Sequence, residues 1–479
     1  MTLVAGVDSS TQSTKIVICD AESGDVVREG SAPHPEGTEV APRAWMEALR
    51  IAASLAGGLN DVAAISVGAQ QHGMVCLDER GEVVRPALLW NDTRSGYSAT
   101  ALVNELGGGL VGGAKWAAAT GSVPVASFTV TKLRWLAEHE PESARRTATV
   151  CLPHDWVTWQ LSGAALDATP GNGAVATDRS DASGTGYFSP TTDRYDLDLL
   201  KMAFGATPAL PTVLAPNAAA GKMPSGRLIG CGAGDNASAA LGVGAGPGDV
   251  IISIGTSGTA FAVCEQPTAD PSGTIAGFAD ATGRYLPLVC TMNAGHVLDS
   301  TATLLGVSLD ELSELALSAD PGADGLVMVP YLEGERTPNR PFALGAVHGL
   351  RLSSWTRANL ARAAIEGMLC GLAAGIDALV ASDVRVDRVT LIGGASRSAA
   401  ISSIAAGIFA RPIVVPDAAQ HVAIGAARQA AWMLTGSTEP PHWAAANYAT
   451  YESEPLVEVR SRYSEVVDLT AERARPSQP

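Results

Sequence analysis

One small device occurs twice, about half a chain apart. Leu3-Val4-Ala5-Gly6-Val7 is an apolar strand ended by Asp8; the turn Ser9-Ser10-Thr11-Gln12-Ser13-Thr14 is rich in hydroxyls; Lys15 to Asp20 returns as a second strand. Val250-Ile251-Ile252-Ser253-Ile254 opens the second copy, Gly255-Thr256-Ser257-Gly258-Thr259 turns, and Ala260 to Cys264 returns. The repeat points to a duplicated architecture rather than two unrelated domains, with chance similarity of two short hairpins as the plain alternative. At roughly 100–200 residues per domain, 479 residues are met most simply by two large domains. The Gly-rich stretch Gly230 to Gly248 is the best boundary, which sets the expected domains at 1–240 and 241–479.

Further strands are expected at Val62 to Gly68, Leu88 to Trp90, Leu326 to Pro330 and Val389 to Ile392. Helical spacing covers Thr129 to His139, Arg357 to Val380 and Ala399 to Phe409, and a tail over 454–475 is expected to pack back as a helix. The fold class is therefore α/β.

Composition excludes several classes. Hydrophobic residues are 46% and charged residues 17%, so the chain can build sizeable cores and is not a disordered one. With 49 acidic and 32 basic residues the net charge is −17. Such a chain has no global pull toward nucleic acid or an anionic membrane, and a polyanion must be gripped locally, through backbone amides or a metal. The apolar stretches read as broken by Gly, Pro or charge short of the roughly 18–20 residues of a membrane span, and Met1 to Gly6 lacks the form of a signal peptide. Neither nucleic acid nor membrane is an expected partner. Seven scattered cysteines without a C-x-x-C pair read as reduced, buried thiols of a cytoplasmic protein.

Common catalytic strings are absent: there is no P-loop, H-E-x-x-H, G-x-S-x-G, H-R-D or D-F-G. What remains is a set of small, hydroxyl-bearing turns after strands, which expose backbone N–H groups to phosphate oxygens. Asp8, at the end of the first strand, has the chemistry to hold Mg²⁺ through water. Lys15 is either a phosphate contact or a surface lysine on a hairpin. Gly393-Gly394-Ala395-Ser396 adds a third turn, so the three together suggest a split nucleotide site. Asp235, in Gly232-Ala233-Gly234-Asp235-Asn236-Ala237, is either a helix N-cap or a general base able to take the proton of a sugar hydroxyl.

The residues reached so far resemble the FGGY carbohydrate kinases, from Gly6 to about Gln429. Gly6-Val7-Asp8 to Lys15 looks like that family's first phosphate loop. Gln70-Gln71-His72-Gly73 and Leu89-Trp90-Asn91-Asp92-x-Arg94 look like the sugar segments of its D-xylulose branch. Ser127-x-Thr129-x-x-Lys132-Leu133-x-Trp135 and Gly345-x-Val347-x-Gly349-Leu350 fit its signatures, and Gly234-Asp235-Asn236-Ala237, Gly255-Thr256-Ser257-Gly258, Tyr331 to Pro338 and Leu391-Ile392-Gly393-Gly394 follow in order.

The resemblance implies an actin-like ATPase fold, with two ribonuclease-H-type domains flanking a cleft that closes on sugar. It implies ATP and Mg²⁺ as cofactors and a small sugar as substrate. Asp235 becomes the catalytic base; Gln71, His72, Asp235 and Asn236 bind sugar. Asp8 serves the metal, and Asp8, Thr11, Lys15, Gly255, Thr256, Ser257, Gly258, Gly394 and Ala395 face the nucleotide. The expected reaction is ATP-dependent phosphorylation of D-xylulose to D-xylulose 5-phosphate. Ribulose, gluconate or a polyol are the rivals within the family, and a non-catalytic sugar or nucleotide sensor is the rival outside it. A homodimer is an open expectation for assembly. Three departures stand out: Ser10 where the phosphate loop commonly has Gly, Ala69 before the sugar motif, and Asp167 to Gly173 in place of an S-D-A-A-G-T-like string.

Overall fold

β1 (Leu3–Ser9) is buried along its whole length, which a strand can be only where both faces of its sheet are covered. In the computed structural model, which describes residues 1–163, 175–340, 342–443 and 447–469, that condition is met. β2 (Ser13–Asp20) and β3 (Val26–Pro33) continue the hairpin antiparallel, with Asp8 opposite Lys15. β4 (Val62–Ala69) pairs parallel with β1 on the other side. β5 (Ala219–Lys222), β6 (Leu228–Gly230) and the two-residue β7 (Ala233–Gly234) complete the sheet, in the order β5-β6-β4-β1-β2-β3 with β7 beside β4.

The pleat divides β1 between two cores. Leu3, Ala5 and Val7 join Trp45, Ala48, Leu49 and Ala52, the buried stripe of helix Arg43–Leu55. Val4 points the other way, into a cluster with Ala423, Ala427, Ala430 and Ala431 of helix His421–Thr435. That helix lies so close that a Cβ on Gly6 would stand 1.9 Å from the Ala423 carbonyl oxygen. Gly425, on the same helix, approaches helix Asp235–Gly242 as tightly: its Cβ would fall 1.8 Å from the Ser238 carbonyl oxygen.

The second sheet repeats the plan. β8 (Asp249–Ile254) and β9 (Gly258–Ala262) form the hairpin, and β10 (Tyr285–Thr291) follows antiparallel to β9. β11 (Arg388–Ile392) lies parallel to β8, β12 (Ile413–Pro416) parallel to β11, and β13 (Tyr448–Tyr451) antiparallel at the edge. The order β10-β9-β8-β11-β12 therefore matches β3-β2-β1-β4-β6, including which pairs run parallel; the next strand outward is antiparallel in both sheets, but β5 precedes β6 in the chain whereas β13 follows β12. The duplication read from two hairpins extends over five strands of each sheet.

The chain divides into two compact units. One contains Met1–Ala245, Val263–Pro287 and Ala419–Ala445; the other contains Gly246–Ala262, Leu288–Ala418 and Ala446–Pro479. This partition differs from a single cut after residue 240 in its two returning segments, and each has a local cause. Gly277 N donates to Gly121 O, Ala279 N donates to the Ser183 hydroxyl, and helix His421–Thr435 covers the first sheet. In the second unit, helix Arg357–Ala381 is long and apolar enough by length and composition to cross a membrane, contrary to the reading that such stretches are broken. Within the fold, 72% of its apolar window is buried, as a core helix requires. The tail helix spans Val457–Val467, shorter than 454–475, and buries Val459 and Tyr463; the expected remainder beyond 469 lies outside the described residues.

Candidate active site

Parallel strands present their C-terminal ends on one edge of a sheet, and in the first unit the candidate residues gather there. Ser9 of β1, Ala69 of β4 and Gly234 of β7 share a register row, with Asp8 on the row before it and Asp235 just after. At a strand spacing of about 4.8 Å, β1 and β7 stand roughly 10 Å apart. Ala69, fully buried, is the link between them: it faces Ser9 on one side and Gly234 on the other.

Asp8 is buried, and burial pushes its carboxyl above the ordinary value against the opposing pull of Lys15. The Lys15 ammonium lies 3.6 Å from Asp8 Oδ2 and is one-third exposed, so the lysine is a partner of the carboxylate and not a detached surface group. Ser10 donates its hydroxyl to Asp8 Oδ1, which gives the departure from Gly at that position a local role. Thr11 accepts a hydrogen bond from Trp90 Nε1 at 2.8 Å. Because Thr11 Oγ1 acts there as acceptor, its own proton remains to be donated.

Asp235 begins helix Asp235–Gly242, and Gly234 is its N-cap, so the N-cap alternative does not hold. Its Oδ1 accepts from the Asn236 backbone N–H and side-chain amide, both at 2.8 Å. Burial, reinforced by the charge of Asp8, pushes the Asp235 carboxyl up to about 7. A carboxylate tuned near neutrality is a competent proton acceptor for a hydroxyl at working pH.

Gln71 and His72 follow β4 with only Gln70 between. Gln71 Nε2 donates to Ser180 O at 2.9 Å. Gln71 also fixes the neighbouring strand, because a Cβ on Gly234 would fall 2.6 Å from Gln71 Cγ. His72 takes a left-handed backbone conformation (φ 67°), with Nδ1 2.6 Å from Gly184 O and its ring against Phe128 and Phe278 at 4.7 and 5.5 Å between centroids. Gln71, His72, Asp8 and Asp235 with Asn236 thus share one edge of the first sheet.

Asp167 to Gly173, read as standing in place of an S-D-A-A-G-T-like string, lies outside the described residues. The string stands further on, at Ser180-Asp181-Ala182-Ser183-Gly184-Thr185, and that departure is withdrawn. Its carbonyls at 180 and 184 are the ones that hold Gln71 and His72. Ser180 Oγ also accepts from Gly234 N at 3.0 Å, next to Asp235. Phe128, Phe278, Trp90 and His154 were not singled out individually; only Trp90 sat within a quoted motif.

In the second unit the turns after β8 and β11 are neighbours, since Ser253 pairs with Ile392. Gly255 and Thr256 are exposed, Ser257 is half-buried and Gly258 buried, and Gly394 is exposed with Ala395 half-buried. Gly393 adopts φ 95° and lies against the Ile254 backbone, where a Cβ would be 2.5 Å from Ile254 O. Gly295 N, opening helix Gly295–Leu305, donates to Gly255 O at 2.8 Å and braces the first of these turns. The exposed amides of such turns are suited to phosphate oxygens.

Comparisons with known proteins agree with this arrangement. Residues 3–242 match the N-terminal domain, and residues 250–434 the C-terminal domain, of the FGGY family of carbohydrate kinases. The xylulose kinase of Streptomyces rubiginosus is 45% identical over 98% of this chain and 95% of its own. The xylulose kinase of Escherichia coli K12 is 33% identical over 82% of each chain. The crystal structure of xylulose kinase from Bifidobacterium adolescentis superposes with a TM-score of 0.88 at 45% identity, covering 97% of this chain and 99% of that one. The duplicated sheets are those of the two-domain, actin-like ATPase fold, and the chain belongs to the FGGY family of carbohydrate kinases.

Proposed function

We propose that this kinase transfers the γ-phosphate of ATP to D-xylulose, giving D-xylulose 5-phosphate and ADP. The observation that carries the chemistry is the Asp235 carboxylate, raised to about 7 by burial and by Asp8, on the same sheet edge as Gln71 and His72. The relatives' names carry the choice of sugar.

In this reading Asp235 takes the proton of the 5-hydroxyl as the oxygen attacks phosphorus, and Asn236 keeps the carboxylate oriented. His72 and Gln71 contact the sugar. Thr11 offers its proton to the γ-phosphate, with Trp90 fixing its oxygen; Lys15 adds positive charge. Thr256 and its neighbours Gly255, Ser257 and Gly258 hold phosphates, and Gly394 and Ala395 lie toward the adenosine. A buried carboxylate suits a hard cation, and Asp8 is the residue that would hold Mg²⁺. When bound, that ion spreads the charge of the transferring phosphoryl group. A cytoplasmic location belongs to the same proposal, in keeping with seven cysteines of which six are buried.

The test is ADP release measured across D-xylulose, D-ribulose, gluconate and glycerol with ATP and Mg²⁺. The expected result is the highest kcat/KM for D-xylulose; a higher value for another acceptor replaces the sugar, and no ADP release with any of them overturns the reading. His72→Ala is expected to raise the sugar KM by about tenfold or more, as loss of a polar contact in a fitted site does, while the ATP KM stays put. An unchanged sugar KM returns His72 to a purely structural role against Phe128 and Phe278.

A further inference from the structure

Behind the sugar segment lies a fully buried polar group that the proposed reaction does not use. His154 and Asp155 sit in the first turn of helix Pro153–Ser162, and Asp181 in the short helix Arg179–Ser183. His154 Nδ1 lies 3.0 Å from Asp181 Oδ2 and 3.0 Å from Asp155 Oδ1. On the other side of the ring, Nε2 lies 2.7 Å from Cys231 O. A carbonyl only accepts, so Nε2 carries a proton. Burial alone would push the imidazole pKa down, but the two carboxylates outweigh it and hold it well above the ordinary range. The three side chains have the composition of a metal site, yet 3.0 Å is hydrogen-bond spacing; ligands bound at about 2.0–2.1 Å to a tetrahedral ion stand about 3.3–3.4 Å apart.

Each end of this ring leads to one half of the candidate site. The Asp181 end enters the turn whose carbonyls hold Gln71 and His72. The Cys231 end enters the strand that delivers Asp235 three residues after Gly232. Gly232 has φ 79°, and a Cβ there would fall 2.1 Å from His154 Nε2, so the close approach needs glycine. Ser180 Oγ, accepting from Gly234 N, closes the circuit between the two ends.

We propose that His154 is a positioning residue that sets the distance between the sugar-holding turn and the base-bearing segment. The proposal rests on Asp235 as base and on Gln71 and His72 as sugar contacts. An amide at the Asn level replaces Nδ1, and one at the Gln level replaces Nε2. His154→Asn therefore keeps the Asp181 link and loses the Cys231 link; His154→Gln does the reverse.

The expected result is a split measured on the folded fraction of each variant with D-xylulose and saturating ATP. His154→Asn should lower kcat at least tenfold, with sugar KM within threefold. His154→Gln should raise sugar KM at least tenfold, with kcat within threefold. If both variants merely lose thermal stability, with kcat per active site and sugar KM both unchanged, the proposal is overturned. The same holds if the two variants change both parameters alike. Should neither variant fold, ring-nitrogen NMR of the unsubstituted protein decides. A protonated, exchange-protected Nε2 supports the link to Cys231, and an unprotonated Nε2 overturns it. That arm does not depend on the acceptor sugar. If wild type turns over a different sugar, the same kinetic split is read with that sugar.

Discussion

Asp235→Asn is expected to lower turnover by about 10²–10⁴-fold, the range of a lost general base, while ATP affinity is retained. The substitution keeps the shape and the contacts with Asn236 and removes only the proton acceptor. The pH profile of the unsubstituted enzyme supplies an independent sign. A base must be deprotonated to act, so kcat/KM for the sugar should fall as pH drops through about 7, where burial and the charge of Asp8 have brought the carboxyl. Isothermal titration of ATP with a coupled ADP assay between pH 5 and 9 measures all of this. Turnover of the Asn variant within about tenfold of wild type would sink the base assignment.

The hairpins were legible because their signal is local. A strand of apolar residues, a hydroxyl-rich turn and a returning strand lie within twenty residues, and the register Leu3 to Asp20 follows from the turn length. Helices Thr129–His139 and Ala399–Phe409 were legible for the same reason, and their bounds agree with the spacing. The placement of helix His421–Thr435 was not legible. Ala423, Ala427, Ala430 and Ala431 announce a close-packed face, but nothing in their spacing says which sheet, some four hundred residues earlier, they cover. The segment 263–287 is similar: Gly277 N–H returns to the Gly121 carbonyl and Ala279 N–H to the Ser183 hydroxyl, contacts that leave no trace in composition.

In the candidate site, the residue types were readable and their coupling was not. Asp235 stood out as a carboxylate in a Gly-rich segment, but its raised pKa depends on Asp8, more than two hundred residues away in sequence. Ser180 to Thr185 carries a readable string, thirteen residues beyond the start of the segment at Asp167 to Gly173. Once located, its function comes from main-chain carbonyls, so side-chain chemistry alone would not have revealed it. His154 reads as an ordinary helix-start histidine until the fold brings Asp181 to one nitrogen and Cys231 to the other.

Gly6→Ala is expected to destabilise the protein by about 3 kcal/mol or more, at the upper end of what one inserted methyl does in a packed core. The resemblance placed Gly6 at the start of a phosphate loop, yet the geometry gives it another task. The added carbon would stand 1.9 Å from Ala423 O, 2.3 Å from Ala427 N and 2.9 Å from Ala427 Cα. These are backbone atoms of a helix, so no rotamer change relieves the overlap; the whole helix must move off β1. Moving it would open the cluster of Val4, Val17, Cys19 and Ala64 with the helix alanines. Gly96→Ala is the control within the same unit, because a Cβ there meets nothing within 4 Å. Thermal and urea unfolding of both variants should show a large loss for Gly6→Ala and almost none for Gly96→Ala. ATP affinity of the folded Gly6→Ala fraction should stay close to wild type. A variant of normal stability with weakened ATP binding would instead assign Gly6 to the phosphate loop and deny that the helix contact is what requires glycine.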